Sequence, residues 1–298
     1  MPESSEKATQ MRVEIGILFA LGAMLNWGIA DFLAKLAIDR VGYETALLVN
    51  ALTSVIPLSI CGVLFFEMPF MTYELLLVTM ATGVLGTFGY LSFYKGLSKG
   101  NVSVVSPISS SWAIITAILA TVLFKERLNA LSIVGIATSF VGIFLASTDL
   151  EDFRNDISQG FPDGSLEAMI AMVTWGITFT MMKLLVDMTG AVVALLFMRG
   201  MSLLLLLSRS CIIRRTLVVP TQRMSVLLIV AGLLDTLGFL AYCVGITTEF
   251  VSIVSPISAM FPAITVLLAY LFLKERIANS QKVGIGAILV GLFLVSSM

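Results

Sequence analysis

The sequence predicts an all-α integral membrane protein in which ten transmembrane helices form two five-helix repeats of inverted topology. Two observations lead to this prediction. The 298 residues are 58% hydrophobic and only 12% charged, whereas an average soluble domain is about 25% charged. The chain also repeats itself at a nearly constant shift of 149 residues. Composition therefore predicts lipid as the surrounding medium, and the constant shift predicts a duplicated fold.

The apolar residues fall in runs of about twenty, the length that a helix needs to cross a bilayer core of about 30 Å. These runs are uniformly apolar and about twice as long as a barrel strand, which argues against a transmembrane β-barrel. The predicted spans are Val13–Ala37, Glu44–Phe66, Leu75–Lys95, Val102–Phe124, Ala130–Thr148, Leu166–Leu185, Ala191–Leu207, Ser225–Ile246, Val251–Leu273 and Val283–Val295.

Polar stretches divide the chain into four predicted parts. Residues 1–12 form a polar N-terminal tail, and the apolar run after it is too long for the core of a signal peptide. Residues 149–164 are rich in Asp and Glu and include Pro162 and Gly164, which predicts an acidic linker. The first repeat would then cover residues 13–148, and the second would cover residues 165–298.

The repeat is visible in short segments that recur in the same order. The matched segments are Val102–Ser109 and Val251–Ser258, Lys125–Arg127 and Lys274–Arg276, and Trp27–Gly28 and Trp175–Gly176. Each unit has an odd number of predicted spans, so the second unit must enter the membrane from the opposite side. Inverted repeats of this kind are common in secondary transporters. The two Lys-Glu-Arg segments are expected to be solvated anchors in the headgroup layer.

Several kinds of chemistry are excluded by residues that the sequence lacks. It has no histidine, and its three cysteines stand singly among apolar residues, so we expect no metal and no cofactor. A GxxxxGK[ST] motif is absent, which argues against ATP hydrolysis by this chain. The net charge of −1 gives no basic surface for nucleic acid. A membrane enzyme is the least favoured class, because acids do not cluster within the spans.

Prolines occupy matched positions early in the fourth and ninth spans. Pro107 and Pro256 each lack an N–H donor, so we expect a helix break at each and free carbonyl groups nearby. Paired, proline-interrupted segments point to the binding site of a carrier. Alternatively, proline is simply tolerated near a helix start. The serines predicted to face a cavity there are Ser106, Ser109, Ser255 and Ser258.

Charged residues within the spans are the second candidate for a solute site. Arg199 and Asp235 lie near the middle of the seventh and eighth spans, where an unpaired charge is costly. Asp235 could bind an amine or a coupling proton, and Arg199 could bind a carboxylate or phosphate. The alternative is an ion pair between them that only fixes helix packing. Asp31 and Lys35 are spaced i, i+4, so we expect them to pair.

Aromatic and amide side chains complete the predicted substrate site. Trp27 and Trp175 lie in the middle of their spans, away from the interfacial belt where tryptophan is common. Each could stack on a solute or simply pack. The remaining predicted contacts are Asn26, Tyr90 and Tyr242, with Trp112 as a further aromatic candidate.

The chain resembles the EamA-like family of the drug/metabolite transporter superfamily. The resemblance rests on Trp-Gly in the first span of each half, Ser-Pro early in the fourth, and Lys-Glu-Arg at its end. It implies a ten-helix carrier whose helices 1, 3, 4, 6, 8 and 9 line a central cavity, with cytoplasmic termini. The distribution of lysine and arginine favours the reverse orientation by the positive-inside rule.

The predicted function is a secondary transporter, acting as a carrier, exporter or exchanger by alternating access. Its substrate would be a small polar or amphipathic metabolite, such as an amino acid or a drug. Expected partners are the small-molecule substrate, the lipid bilayer, and a coupling proton or an exchanged solute. The protein is expected to be a monomer or a homodimer. The expected location is the plasma membrane, with multiple crossings. The alternative functions are a channel and a non-transporting membrane receptor.

Overall fold

The computed structural model describes residues 2–100, 102–147, 163–213, 219–273 and 279–296, and the regular secondary structure of these residues is entirely helical. The helices are α1 (Pro2–Val41), α2 (Tyr43–Phe65), α3 (Tyr73–Lys99), α4 (Val102–Ser110), α5 (Trp112–Leu123), α6 (Ala130–Ser147), α7 (Ser165–Thr189), α8 (Ala191–Ile213), α9 (Gln222–Thr248), α10 (Val251–Ser258), α11 (Phe261–Leu273) and α12 (Asn279–Ser296).

Eight segments within the described residues are long and apolar enough to cross a membrane. Two of them, Val105–Leu123 and Val251–Phe272, consist of two consecutive helices each. Two shorter apolar helical segments, Ala130–Leu145 and Lys282–Gly291, lie at the positions of the predicted fifth and tenth spans. The fold is therefore a multi-span helical membrane protein, and the count of ten crossings stays a prediction.

The helix interruptions lie a few residues after the two prolines. α4 contains Pro107 and ends at Ser110, and α10 contains Pro256 and ends at Ser258. The carbonyl oxygen of Pro107 accepts hydrogen bonds from the hydroxyls of Ser110 and Ser111, each at 3.0 Å. The serines thus satisfy a backbone acceptor beside the break, as such residues do near helix interruptions.

Some predicted segments continue into helices or lie outside the described residues. α1 begins at Pro2, so residues 2–12 are helical and continuous with the first span. Most of the predicted acidic linker, residues 149–162, lies outside the described residues, as does the second Lys-Glu-Arg segment within residues 274–278.

Contacts between the halves come in pairs that follow the sequence repeat. α1 packs along α9, and its counterpart α7 packs along α3. The hydroxyl of Thr265 donates to the carbonyl of Gly28 at 3.1 Å. At the equivalent position, the hydroxyl of Thr116 donates to the carbonyl of Gly176 at 2.9 Å. The two halves therefore make equivalent contacts at these matched positions.

Two glycines allow helices to approach the central tryptophans. A Cβ atom at Gly238 of α9 would lie 2.7 Å from Nε1 of Trp27, and one at the matched Gly89 of α3 would collide with the indole of Trp175. Small residues permit such close approach within a membrane. These contacts hold both indole rings at the centre of the molecule.

Candidate functional site

A cavity lies between the two halves at the centre of the helices. Its empty space is about 290 Å³, counting the part open to its surroundings. Six aromatic side chains and one carboxylate line it: Trp27, Asp31, Trp112, Trp175, Phe179, Phe239 and Phe261. All three tryptophans of the chain are among them.

Six of the seven lining residues occupy matched positions of the two repeats. Trp27 corresponds to Trp175 at a shift of 148 residues, and Trp112 corresponds to Phe261 at a shift of 149. Trp112 and Phe261 are each the first residue of the helix that follows an interruption. The breaks in the fourth and ninth spans therefore turn a matched pair of aromatic rings into the cavity.

The aromatic rings form a packed wall. The rings of Trp112 and Phe179 stack at 3.9 Å between centroids, and those of Phe179 and Phe239 stack at 5.3 Å. Trp27 meets Phe179 and Phe239 edge to face at 5.6 and 5.0 Å. Such pairs stabilise each other beyond their buried area, so the wall is a firm apolar surface.

Asp31 is the acidic side chain of the cavity lining. The expected pair with Lys35 is wrong: Lys35 binds Asp39 at 2.9 Å and the carbonyl of Leu97 on α3 at 2.8 Å. Lys35 is spaced four residues from both acids, and it binds Asp39 together with an acceptor on a neighbouring helix. Among the described residues, Asp31 has neither an ion pair nor a hydrogen bond.

Arg199 and Asp235 form a buried network with two polar neighbours. The guanidinium binds Oδ2 of Asp235 at 2.5 Å, and the Tyr90 hydroxyl donates to Oδ1 of Asp235 at 2.8 Å while accepting from Arg199 at 3.1 Å. The amide of Asn50 donates to Asp235 at 3.2 Å. The alternative of an ion pair is therefore the arrangement in this structure, and a direct role in solute binding stays a prediction.

This network lies behind the cavity wall. The Arg199 guanidinium stands over the ring of Phe239, 4.4 Å from its centroid, and over the ring of Tyr90 at 4.9 Å. Phe239 itself lines the cavity. Arg199 and Asp235 are 2% and 6% exposed, so one aromatic ring separates the ion pair from the cavity.

The other predicted contacts lie outside the cavity lining. Ser109 donates to the carbonyl of Ser106, and Ser258 donates to that of Ala20, at 3.0 and 3.4 Å. The hydroxyls of Tyr242 and Ser255 are 2.9 Å apart. The Asn26 amide donates to the carbonyl of Gly22 at 2.8 Å, and the buried Ser106 hydroxyl has no partner within the described residues. The Ser258 and Tyr242–Ser255 bonds join different helices, and the Ser109 and Asn26 bonds each lie within one helix.

Glu126 holds the N-terminus of α10 in place. Its carboxylate accepts from the backbone N–H groups of Val251 and Ser252 at 3.0 and 2.9 Å, and from the Ser252 hydroxyl. Residues 251–262 are all buried. The expectation of a solvated anchor is therefore wrong for Glu126, because the free N–H groups of a helix start attract an acid. Its neighbours Lys125 and Arg127 are exposed.

Ion pairs join α3 to α7 where α3 meets α4. Glu167 binds Lys99 at 2.5 Å and Lys95 at 3.2 Å. The backbones are also close here, since a Cβ at Gly96 would lie 3.3 Å from the carbonyl oxygen of Gly164. The helix ends on this side of the cavity are therefore in contact.

Three phenylalanines of the lining, Phe179, Phe239 and Phe261, were missed by sequence reasoning. Phenylalanine is common in any membrane span, so composition gives no signal for them. The repeat offers one, because Phe261 is the counterpart of Trp112. Within the described residues, no group of His, Cys, Asp or Glu is arranged to hold a metal ion.

The fold and the cavity between repeated halves define a multi-pass helical membrane protein of the transporter class. The profile of the EamA-like transporter family matches residues 14–148 and 164–297. The chain therefore belongs to the EamA-like transporter family, and each half matches the family once.

Two relatives and one solved structure are similar to the chain. An uncharacterized transporter of Archaeoglobus fulgidus is 23% identical over 282 residues, covering 94% of this chain and 97% of the relative. An uncharacterized protein of Methanocaldococcus jannaschii is 27% identical over 143 residues, which are 45% of this chain and 98% of that protein. One crystal structure of a protein has a TM-score of 0.77 at 14% identity, covering 95% of this chain and 98% of its own; it supports the fold alone.

Proposed function

We propose that this EamA-family protein is a secondary transporter that carries a small polar or amphipathic metabolite across the plasma membrane by alternating access. The observation that carries the proposal is the central cavity, whose walls come from matched positions of both halves. A site between two equivalent halves can be opened to either side when the halves exchange conformations. The substrate candidates are amino acids and drugs, and transport is driven by a proton or by exchange with a second solute.

The proposal requires that the cavity opens at two ends in turn. One end is where α9 meets α10, and Glu126 binds the first turn of α10 there. We name it the α9–α10 end. The other is where α3 meets α4, with Lys99 bound to Glu167; we name it the α3–α4 end. If each half crosses the membrane five times, the two ends face opposite sides. Helix contacts at both ends support an occluded state.

Matched cysteine pairs can hold each end closed. A Cβ at Gly96 would lie 3.4 Å from that of Glu167, and a Cβ at Gly245 would lie 3.6 Å from that of Phe19. Both values are close to the Cβ separation of about 3.5–4.5 Å in disulfides. Gly96→Cys with Glu167→Cys links the α3–α4 end, and Gly245→Cys with Phe19→Cys links the α9–α10 end at the equivalent repeat position.

A reporter cysteine in the cavity then reads which face is open. The reporter is Phe261→Cys in a protein whose Cys61, Cys211 and Cys243 are replaced by alanine. A membrane-impermeant thiol reagent is added to intact cells and to inside-out vesicles, with the links oxidised or reduced. We expect the unlinked reporter to react from both faces, and each link to abolish reaction from one face only, a different face for each link.

Other outcomes would exclude the carrier. A channel is open at both ends at once, so a link blocks one face and leaves the rate from the other face unchanged, whereas in a carrier each link should raise the rate from the opposite face by shifting the population towards that open state. A receptor with one open end reacts from one face only, even without a link. The reduced form of each double variant is the control for effects of the substitutions themselves. A carrier is therefore separated from both alternatives without knowledge of the substrate.

A further inference from the structure

The cavity holds an acid without a cation to balance it. Asp31 lies one helical turn from Trp27 and lines the cavity, and it has no ion pair among the described residues. Two cations within the described spans are paired with other acids: Lys35 with Asp39, and Arg199 with Asp235. A carboxylate inside a membrane protein is costly unless it is hydrated, protonated or paired. Asp31 is therefore available to pair with a group that enters the cavity.

Asp31 also breaks the symmetry of the aromatic wall. Its counterpart in the second repeat, 148 residues on, is Phe179, which lines the same cavity. The other matched lining pairs are aromatic on both sides. The single acid therefore gives an otherwise matched apolar cavity one negative pole.

The remaining lining favours a cation with an apolar body. The negative faces of aromatic rings attract cations, and tryptophan does so most strongly. The indole N–H edges of Trp27 and Trp175 lie against Gly238 and Gly89 and have no acceptor among the described residues, so these polar edges pack on helix backbones. The lining offers no cationic side chain for an anionic solute.

From this arrangement we propose that the cavity binds an organic cation, an amine or quaternary ammonium carried on an apolar or aromatic body, with Asp31 as its counter-ion. The inference rests on the proposed function, since it names the substrate class for the same cavity. Arg199 and Asp235 then stabilise the wall through Phe239 and do not contact the cation.

The three tryptophans give a direct binding signal, because all of them line the cavity. The purified full-length protein in detergent is titrated with benzyltrimethylammonium while tryptophan emission is recorded. Benzylsulfonate is the anionic comparison, and benzyl alcohol is the neutral one. We expect a saturable change with the cation and none with the anion over the same concentration range.

Variants test the role of Asp31 itself. Asp31→Asn keeps the side-chain size and removes the charge, so we expect affinity for the cation to fall about tenfold or more, because the attraction between two opposite charges in a low-dielectric cavity is lost. Asp31→Glu should retain most of the affinity. The matched control is Asp187→Asn, which removes the acid of the exposed Lys183–Asp187 pair in the second half and should leave affinity unchanged.

Three results would overturn the inference: no saturable signal with the cation, equal binding of the anion, or unchanged affinity in Asp31→Asn. Thermal unfolding of each variant confirms that it is folded. The linked-cysteine experiment needs no ligand, so the two proposals fail separately. A cavity that opens alternately to the two faces but does not bind the cation contradicts only the proposed substrate class. A cavity that binds the cation but opens to one face only contradicts the carrier function.

Discussion

Arg199 of α8 and Asp235 of α9 form an ion pair in which the Nη2 and Oδ2 atoms are 2.5 Å apart and both side chains are almost completely buried. The hydroxyl of Tyr90 on α3 bonds to both partners. Phe239 contacts the guanidinium and also lines the cavity. The pair therefore joins three helices directly behind the cavity wall.

Removing one partner of this pair should be far more damaging than removing both. Asp235→Asn leaves the Arg199 charge buried and uncompensated, which we expect to lower the free energy of unfolding by roughly 3–5 kcal/mol. The double variant Arg199→Met, Asp235→Leu removes both charges and should recover most of that loss. Thermal unfolding in detergent measures the difference, and a double variant less stable than Asp235→Asn would contradict it.

Alanine at the glycines beside the central tryptophans should destabilise the protein. In Gly89→Ala the new methyl group collides with Trp175, and in Gly238→Ala it collides with Trp27. Overpacking of this kind costs about 1–3 kcal/mol. The control is Gly200→Ala on α8, where nothing lies within 4 Å, so better helix propensity should make it neutral or stabilising. Equal unfolding temperatures for all three variants would exclude the tight contacts.

Removing the cap on α10 should favour opening at the α9–α10 end. Glu126→Ala deletes the acceptor of two backbone N–H groups, and a lost helix cap costs about 1 kcal/mol, or about fivefold in an equilibrium. The Phe261→Cys reporter should therefore react about fivefold faster from the face that this end exposes. Arg127→Ala, at an exposed neighbour, is the control. An unchanged rate in Glu126→Ala would show that the cap does not hold the end closed.

Stability should depend on pH through Glu249, which lies between α9 and α10. Burial raises the pKa of Glu249 above its ordinary value of 4.5, and the nearby Glu126 raises it further, against the lowering effect of the Phe250 N–H. The unfolded chain then loses its proton first, so stability should fall as pH rises from 4.5 through the raised pKa. Unfolding temperatures measured across this interval test the effect, and Glu249→Gln should abolish this part of the slope. The same slope in Glu249→Gln would assign it to another group.

The repeat gave the most reliable structural predictions, because each matched pair of positions constrains helix packing in both halves. Matched glycines and threonines, such as Gly28 with Thr265 and Gly176 with Thr116, recur in the structure as equivalent contacts. The predicted breaks near Pro107 and Pro256 also lead to the cavity, through Trp112 and Phe261. Positions that match between the two repeats therefore predict equivalent contacts between helices.

Side-chain partners across helices were harder to predict. Lys35 is spaced equally from Asp31 and Asp39, and in the structure it binds Asp39 and the Leu97 carbonyl on another helix. Likewise, Glu126 is one residue of a charged run, and its role depends on the distant start of α10. Spacing along one helix cannot identify partners that tertiary packing supplies.

The central claim, that the two halves are inverted in the membrane, can be tested at two matched loop positions. Phe70 and Val219 lie 149 residues apart, and their side chains are 89% and 90% exposed. Phe70→Cys and Val219→Cys, each in the cysteine-free protein, are labelled with an impermeant thiol reagent in intact cells and in inside-out vesicles. The account predicts that the two positions are labelled from opposite faces, and labelling of both from the same face would contradict it.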